Sequence, residues 1–230
     1  MRAEDVVQRL EKMSNLEMVK SLKKFGITPK RAYGISIPDL RKLAKEIGKN
    51  HLLAQELWEI DTRETRILAT MIDDPEEVTE EQMERWVRDF DYWEICDQCC
   101  ANLFSKTRFA YRKAVEWSSR DEEFVKRAGF VLMARLALAD KKAGDKVFEE
   151  FLSVVKREAI DGYDERHYVK KAVSWALRQI GKRNIYLNKK AIGIAKEIGR
   201  VDSRIARWIA SDALRELTSE AVAKRLKKSG

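Results

Sequence analysis

Four short tetrads constrain this chain more than any other feature. Arg66-Ile-Leu-Ala69, Arg127-Ala-Gly-Phe130, Lys171-Ala-Val-Ser174 and Arg204-Ile-Ala-Arg207 each open on a basic residue and continue mainly with apolar or small residues. They recur at intervals of 61, 44 and 33 residues, and the first interval has room for a further helix pair around residues 80–103. A helix pair of about 40 residues is the HEAT-like period. One such pair cannot bury its own apolar face, so pairs stack, and the second helix of each lines a common surface. The expected fold is therefore all-α: a right-handed curved α-solenoid of HEAT-like helical pairs with a concave basic groove, a single domain over residues 1–230.

The segments between the tetrads fit this rhythm. Residues 3–25 read as two short amphipathic helices ended by Gly26-Ile27-Thr28-Pro29. Pro38 suits the first turn of the next helix, where its missing N–H has no partner to lose, and Gly48 stops that helix. Further helices are expected near 51–59, 63–72, 80–89, 92–103, 107–118, 121–139, 145–158, 164–180, 187–198, 202–217 and 219–228. Breaks fall at Asp73-Asp74-Pro75, Ser118-Ser119-Arg120, Asp161-Gly162 and Gly181-Lys182-Arg183-Asn184. Thr79 with Gln82, and Ser119 with Glu122, have capping-box spacing, and Asp91 is placed to cap the helix that follows it. No stretch shows the sustained alternation of a strand.

Charge is distributed unevenly. The chain carries a net charge of +8, yet residues 161–230 hold 17 Lys and Arg against 8 Asp and Glu, so the whole excess lies in the last third. A basic face on a neutral body suits a polyanion partner, because contacts to phosphates release counterions. A merely solubilising surface would read the same way. No apolar run reaches the length of a membrane span, and Met1-Arg2-Ala3-Glu4-Asp5 opens no signal peptide. Cys96, Cys99 and Cys100 crowd one helix. That is no disulfide framework, and it points to a reducing, cytoplasmic setting.

The stretch Phe90-Asp91-Tyr92-Trp93-Glu94-Ile95-Cys96-Asp97 holds the most suggestive chemistry. Trp93 and Asp97 are four apart and share a helix face. Arg127 follows Trp93 by 34 residues and Trp175 follows Arg127 by 48, so a stacked array can align the four from successive repeats. Aromatic faces contact sugars and cations. A carboxylate stabilises developing positive charge or orients a water, and an Arg holds phosphate. Tryptophans buried at helix contacts remain the competing reading; Trp58, Trp86, Trp117 and Trp208 are assigned to core or surface anchoring. A second constellation is basic: Lys170, Lys171, Arg178, Lys182, Arg183, Lys189 and Lys190, with Lys196 and Arg200 beyond and Arg204 and Arg207 one repeat later, as contacts that position a duplex without reading its bases. Cys96-x-x-Cys99-Cys100 lacks the second ligand pair of a zinc site. His51 and His167 join no recognisable triad, and no glycine-rich phosphate loop is present.

An ordered set of segments resembles the DNA alkylation repair proteins of the AlkD type, HEAT-like-repeat DNA glycosylases. The segments are Tyr33-Gly-Ile-Ser-Ile-Pro-Asp-Leu-Arg41, Asp91-Tyr-Trp-Glu-Ile-Cys-Asp97, Phe124-Val-Lys-Arg-Ala128, Val169-Lys-Lys-Ala-Val-Ser-Trp-Ala-Leu-Arg178 and Ala206-Arg-Trp-Ile-Ala-Ser-Asp-Ala-Leu214. The resemblance implies hydrolysis of the N-glycosidic bond of cationic alkylated purines, such as 3-methyladenine and 7-methylguanine, in double-stranded DNA. It implies no metal, no cofactor and a monomeric protein. It makes Asp97 the key catalytic carboxylate, sets Trp93 and Trp175 against the sugar, and matches Arg127 to a family Arg. Tyr92 and Glu94 depart from the family's first Trp and first Asp. Phe25 or Tyr33 would supply the family's N-terminal aromatic. Two other readings of the residues remain: a non-catalytic binder of DNA or unusual nucleic-acid structures, and a protein-interaction array.

Overall fold

The computed structural model describes residues 1–161 and 166–228, which carry fourteen α-helices and no strand. The chain packs as two compact units, residues 1–109 and 110–230. The first holds α1 (Ala3–Lys12), α2 (Leu16–Leu22), α3 (Ile37–Ile47), α4 (His51–Glu59), α5 (Arg63–Ile72), α6 (Glu80–Arg88) and α7 (Trp93–Asn102). The second holds α8 (Ala110–Ser118), α9 (Glu123–Ala139), α10 (Asp145–Asp161), α11 (His167–Gly181), α12 (Ile185–Ile198), α13 (Arg204–Leu217) and α14 (Glu220–Lys228). Short 3₁₀ turns cover Lys23–Phe25 and Phe104–Lys106, and the second delays the start of α8 to Ala110, beyond the expected 107. The break at Gly162 and the first residues of the helix expected from 164 lie outside the described residues.

The tetrads fall on α5, α9, α11 and α13, and the long first interval contains α6 and α7. In the first unit α3, α5 and α7 pack in sequence, with α4 against α5. In the second, α9, α11 and α13 form one row and α8, α10 and α12 another. Alternate helices thus stack on one another, the packing expected of repeated helix pairs.

Local chemistry sets most boundaries. The Ser36 hydroxyl accepts from the Asp39 N–H, Pro38 sits in the first turn of α3, and Gly48 ends that helix at φ +77°. Asn50, Thr62, Asn184 and Ser203 cap α4, α5, α12 and α13 in the same manner. Gly34, at φ +76°, lets the 33–36 segment pass so close to the Asn15 carbonyl that a Cβ would lie 2.2 Å from its oxygen.

Three caps differ from expectation. Thr79 accepts from the Gln82 N–H, but the Gln82 amide donates to buried Asp73 at 2.6 Å instead of completing a box. The Ser119 hydroxyl donates back to the Glu116 carbonyl, while Glu122 takes the Arg120 guanidinium, so Ser119 finishes α8 and does not start α9. Asp91 lies one residue too early: extended Tyr92 is the N-cap of α7, and its phenol makes no capping bond.

Each unit has its own core. In the first, Trp58 and Trp86 stack in parallel with ring centroids 4.0 Å apart, and Phe90 and Phe104 close the cluster. In the second, α9 is buried along most of its length, and Trp117, Phe148 and Phe151 lie in the interior. Cys96, Cys99 and Cys100 are all inside, and none is in a disulfide. Burial pushes the Cys99 thiol well above its ordinary range, so it packs as a small apolar residue.

Candidate functional site

In the first unit the site is built on α7. Trp93 opens the helix and Asp97 follows one turn later on the same face, both half-buried. The Trp93 indole N–H donates to the Phe25 carbonyl at 2.9 Å. This bond ties α7 to the 3₁₀ turn that ends at Phe25, where Gly26 reverses the chain in the left-handed region at φ +67°. The Phe25 ring is 67% exposed. Of the two aromatics considered from sequence, Phe25 is the one bonded to Trp93. Tyr33 is engaged elsewhere, its N–H donating to Glu64 at 2.7 Å.

The two departures beside this site point inward. Tyr92 is buried, which pushes its phenol above the usual range. Glu94 is buried and accepts two parallel bonds from Arg63, Nε and Nη2 each at 2.7 Å. Arg63 also donates to Glu64 at 2.8 Å and to the Ile35 carbonyl at 2.9 Å. Glu64 in turn collects the N–H groups of Tyr33, Gly34 and Ile35. Burial acts to lower the Arg63 pKa, but its two carboxylates outweigh it and hold the group above its ordinary value. Glu94 thereby belongs to the frame, and Asp97 is the more exposed of the two acids of α7. Nearby Asp91 is exposed as a residue, yet partial burial of its carboxyl raises it above its ordinary value despite Arg66.

His51 is likewise structural, 2.7 Å from fully buried Asp73, which also accepts from Gln82. Burial lifts the Asp73 carboxyl above its ordinary value against those bonds. Among the described residues no group of three or more His, Cys, Asp or Glu could hold a metal ion.

The second unit carries Arg127 and Trp175. Arg127, on α9, is only 6% exposed; its Nη1 donates to the Tyr168 carbonyl at 2.6 Å, and its guanidinium carbon lies 6.0 Å from the Tyr168 ring centroid. Trp175 is half-buried midway along α11. Lys171 and His167 are exposed on the same helix face, one and two turns earlier. Burial, then Lys171, Lys170 and Arg127, hold the His167 imidazole below its ordinary pKa, which reports a locally positive field.

The basic constellation divides into three groups. Lys170, Lys171, Arg178 and Lys182 belong to α11 or its end, and Arg207 to α13, all in the α9–α11–α13 row. Lys189 and Lys190 lie on α12, in the other row, where Lys190 pairs with Glu149 at 2.5 Å. Arg183, expected among the DNA contacts, is folded inward: it donates to the carbonyls of Ala137, Asp140 and Ala143 and lies 3.8 Å over the Phe148 ring. Its donors close the loop after α9. Arg178 and Lys182 both pair with Glu216, and Arg178 also meets Asp212 at 3.3 Å.

Sequence reasoning leaves Trp208 between core and surface anchoring and passes over Arg215, though it counts Arg204 among the basic residues. Trp208 is 38% exposed on α13, with the Lys170 ammonium 5.5 Å from its ring centroid. Arg204, Trp208, Ser211 and Arg215 follow one another at steps of four, three and four and are all exposed. That periodicity is the signal that could have found them.

These features define a HEAT-like helical-repeat protein with a cationic, tryptophan-bearing face. A solved structure described as representing a new family of proteins related to the HEAT-like repeat DNA glycosylases, with affinity for branched DNA structures, shares this fold. It matches with a TM-score of 0.77 at 22% identity, over 94% of this chain and 96% of that one. The family model for DNA alkylation repair enzymes matches residues 6–217, and the chain belongs to that family. Among curated relatives, an uncharacterised protein of Listeria innocua is 24% identical over 196 residues, 84% of each chain. An uncharacterised protein of Listeria monocytogenes is 28% identical over 125 residues, 53% of this chain and 56% of that one.

Proposed function

We propose that this protein binds double-stranded DNA through the α11–α13 face and hydrolyses the N-glycosidic bond of cationic alkylated purines, with Asp97 as the catalytic carboxylate. The observation that carries the reading is the sorting of acids on α7: Glu94 is buried against Arg63, whereas Asp97 stays half-exposed one turn from Trp93. An alkylated purine already bears positive charge, so it departs as a neutral base with the bonding electrons and needs no strong general acid. The remaining task is to stabilise the oxocarbenium-like sugar until water adds at C1′ and loses a proton. A carboxylate and aromatic faces meet that need. Trp93, on the same helix face as Asp97, is assigned to the sugar, and Trp175, beside Lys171 on α11, to the DNA-binding face. Arg127, with its guanidinium on the Tyr168 carbonyl, positions the start of α11. Phosphate contacts are assigned to exposed Lys171, Arg204 and Arg207, assisted by Lys170.

The test is release of 7-methylguanine from methylated duplex DNA. Wild type is expected to release it, and Asp97→Asn to lose about 100-fold or more in rate while still binding DNA. Undiminished release by Asp97→Asn removes that residue from the mechanism.

A second reading is a non-catalytic binder of unusual DNA structures. It is favoured by the cationic face with exposed Trp208 and by the branched-DNA affinity in the description of the similar solved structure. Salt-sensitive binding with no base release by wild type would establish it.

A further inference from the structure

We propose that Trp208 is a base-stacking platform that makes the α11–α13 face prefer DNA with unpaired bases over continuous duplex. The proposal rests on the DNA-binding reading above and adds the selectivity of that face. Three of the six tryptophans, Trp58, Trp86 and Trp117, are fully buried, and Trp93 and Trp175 are half-buried. Trp208 is the most exposed of the six, at 38%. Its surroundings are unsuited to an apolar contact. Arg204 precedes it by one turn, Ser211 and Arg215 follow on the same face, and the Lys170 ammonium sits 5.5 Å over the ring.

Arg204 and Arg215 are eleven residues apart, about 16 Å along the axis, and the ring lies between them. Arg215 pairs with Asp212, and Arg207 with Asp202, through side chains that are themselves 76% and 57% exposed. Lys171 and Arg204 have no acidic partner among the described residues. An exposed ring flanked by cations is the arrangement that holds a nucleic-acid strand by its phosphates and a base by its plane. In a continuous duplex the base planes are covered by their neighbours, and only base edges face the grooves. The ring can therefore stack only where a base is unpaired: at a junction, bulge, gap or single strand. Stacking tolerates any base, so the preference is for structure and not for sequence.

The experiment measures affinity for a continuous duplex, the same duplex with a three-base bulge, and a single strand, using wild type, Trp208→Ala, Trp208→Phe and Lys171→Glu/Arg204→Glu. Trp208→Ala is expected to lose about tenfold on the bulged and single-stranded probes and less than about twofold on the duplex. Trp208→Phe should keep most of the affinity for all three. The charge variant should lose on every probe alike. Equal losses by Trp208→Ala on duplex and unpaired probes overturn the proposal, as does no loss on any. So does dimerisation of wild type in sedimentation that Trp208→Ala abolishes with DNA affinities unchanged, since Trp208 is then a contact between copies. If wild type binds none of the probes, the DNA-binding reading itself has failed. If only Trp208→Ala behaves like wild type while the charge variant loses binding, that reading stands and the stacking role falls.

Discussion

Two helices written in similar letters behave oppositely. α5 in the first unit and α11 in the second both carry a basic-opening tetrad. On α5, Arg63, Glu64, Thr65 and Arg66 are all buried; Arg63 meets its carboxylates inside, and Arg66 meets Asp61 and Asp89 nearer the surface. On α11, Lys171 is exposed and Lys170, Arg178 and Lys182 are half-exposed, with Asp212 and Glu216 of α13 pairing with Arg178 and Lys182. What separates the two is the partner. Arg63 finds two carboxylates and a carbonyl within 3 Å, which makes a desolvated guanidinium tolerable. Lys171 finds none among the described residues and stays in water. A cation in a helical repeat thus belongs to the frame or to the surface according to the acids the next helices supply.

The largest effect should come from breaking the frame. Arg63→Ala leaves two buried carboxylates without their cation and is expected to cost about 3–5 kcal/mol in urea unfolding. Lys171→Ala should change stability by less than about 0.5 kcal/mol. Comparable costs would collapse the distinction between the two helices.

Next is Lys171→Glu/Arg204→Glu, expected to weaken duplex binding at least roughly tenfold at low salt and to flatten the dependence of log affinity on log salt by about two units. Unchanged slopes would mean these cations do not meet phosphate.

Glu216→Gln is a finer probe. Burial acts to raise the Glu216 carboxyl, but Lys182 and Arg178 outweigh it and hold the group below its ordinary value. Its contribution to stability is therefore present above the ordinary glutamate pKa, near 4.3, and is lost as pH falls through the lower folded value. The Gln variant should lack that part of the acid decline. By releasing Arg178 and Lys182 it should also tighten DNA binding about two- to fivefold; weaker binding would show that Glu216 orders those cations for their task.

The smallest effect should be at His167. Neighbouring cations help hold its pKa down, and bound phosphates would raise it, so affinity should increase modestly as pH falls toward 6. An NMR titration of the imidazole with and without DNA should show the upward shift.

Much of the fold was legible in the sequence because apolar period and breaker residues are local signals. The helices over 51–59, 63–72 and 145–161 begin where periodicity places them. Cap assignments fared less well. Ser119 and Asp91 have the right composition, but whether a hydroxyl closes one helix or opens the next depends on backbone angles that spacing does not encode. The site was legible in part. Trp93 and Asp97 share a face through simple geometry, whereas the fates of Glu94 and Arg183 depend on residues about 30 to 45 positions away. Trp208 is left between core and surface because a tryptophan's composition says nothing about which side of a helix faces water.

The three cysteines of α7 bear on a hazard of the trade this family is named for. Electrophiles that alkylate DNA also attack thiolates, and a protein present during such exposure is itself a target. Cys96, Cys99 and Cys100 are sealed from solvent beside the candidate site, and burial holds the Cys99 thiol protonated. The helix that carries Asp97 thus hides its soft nucleophiles, so the native protein should survive a dose of methylating agent that modifies its unfolded chain.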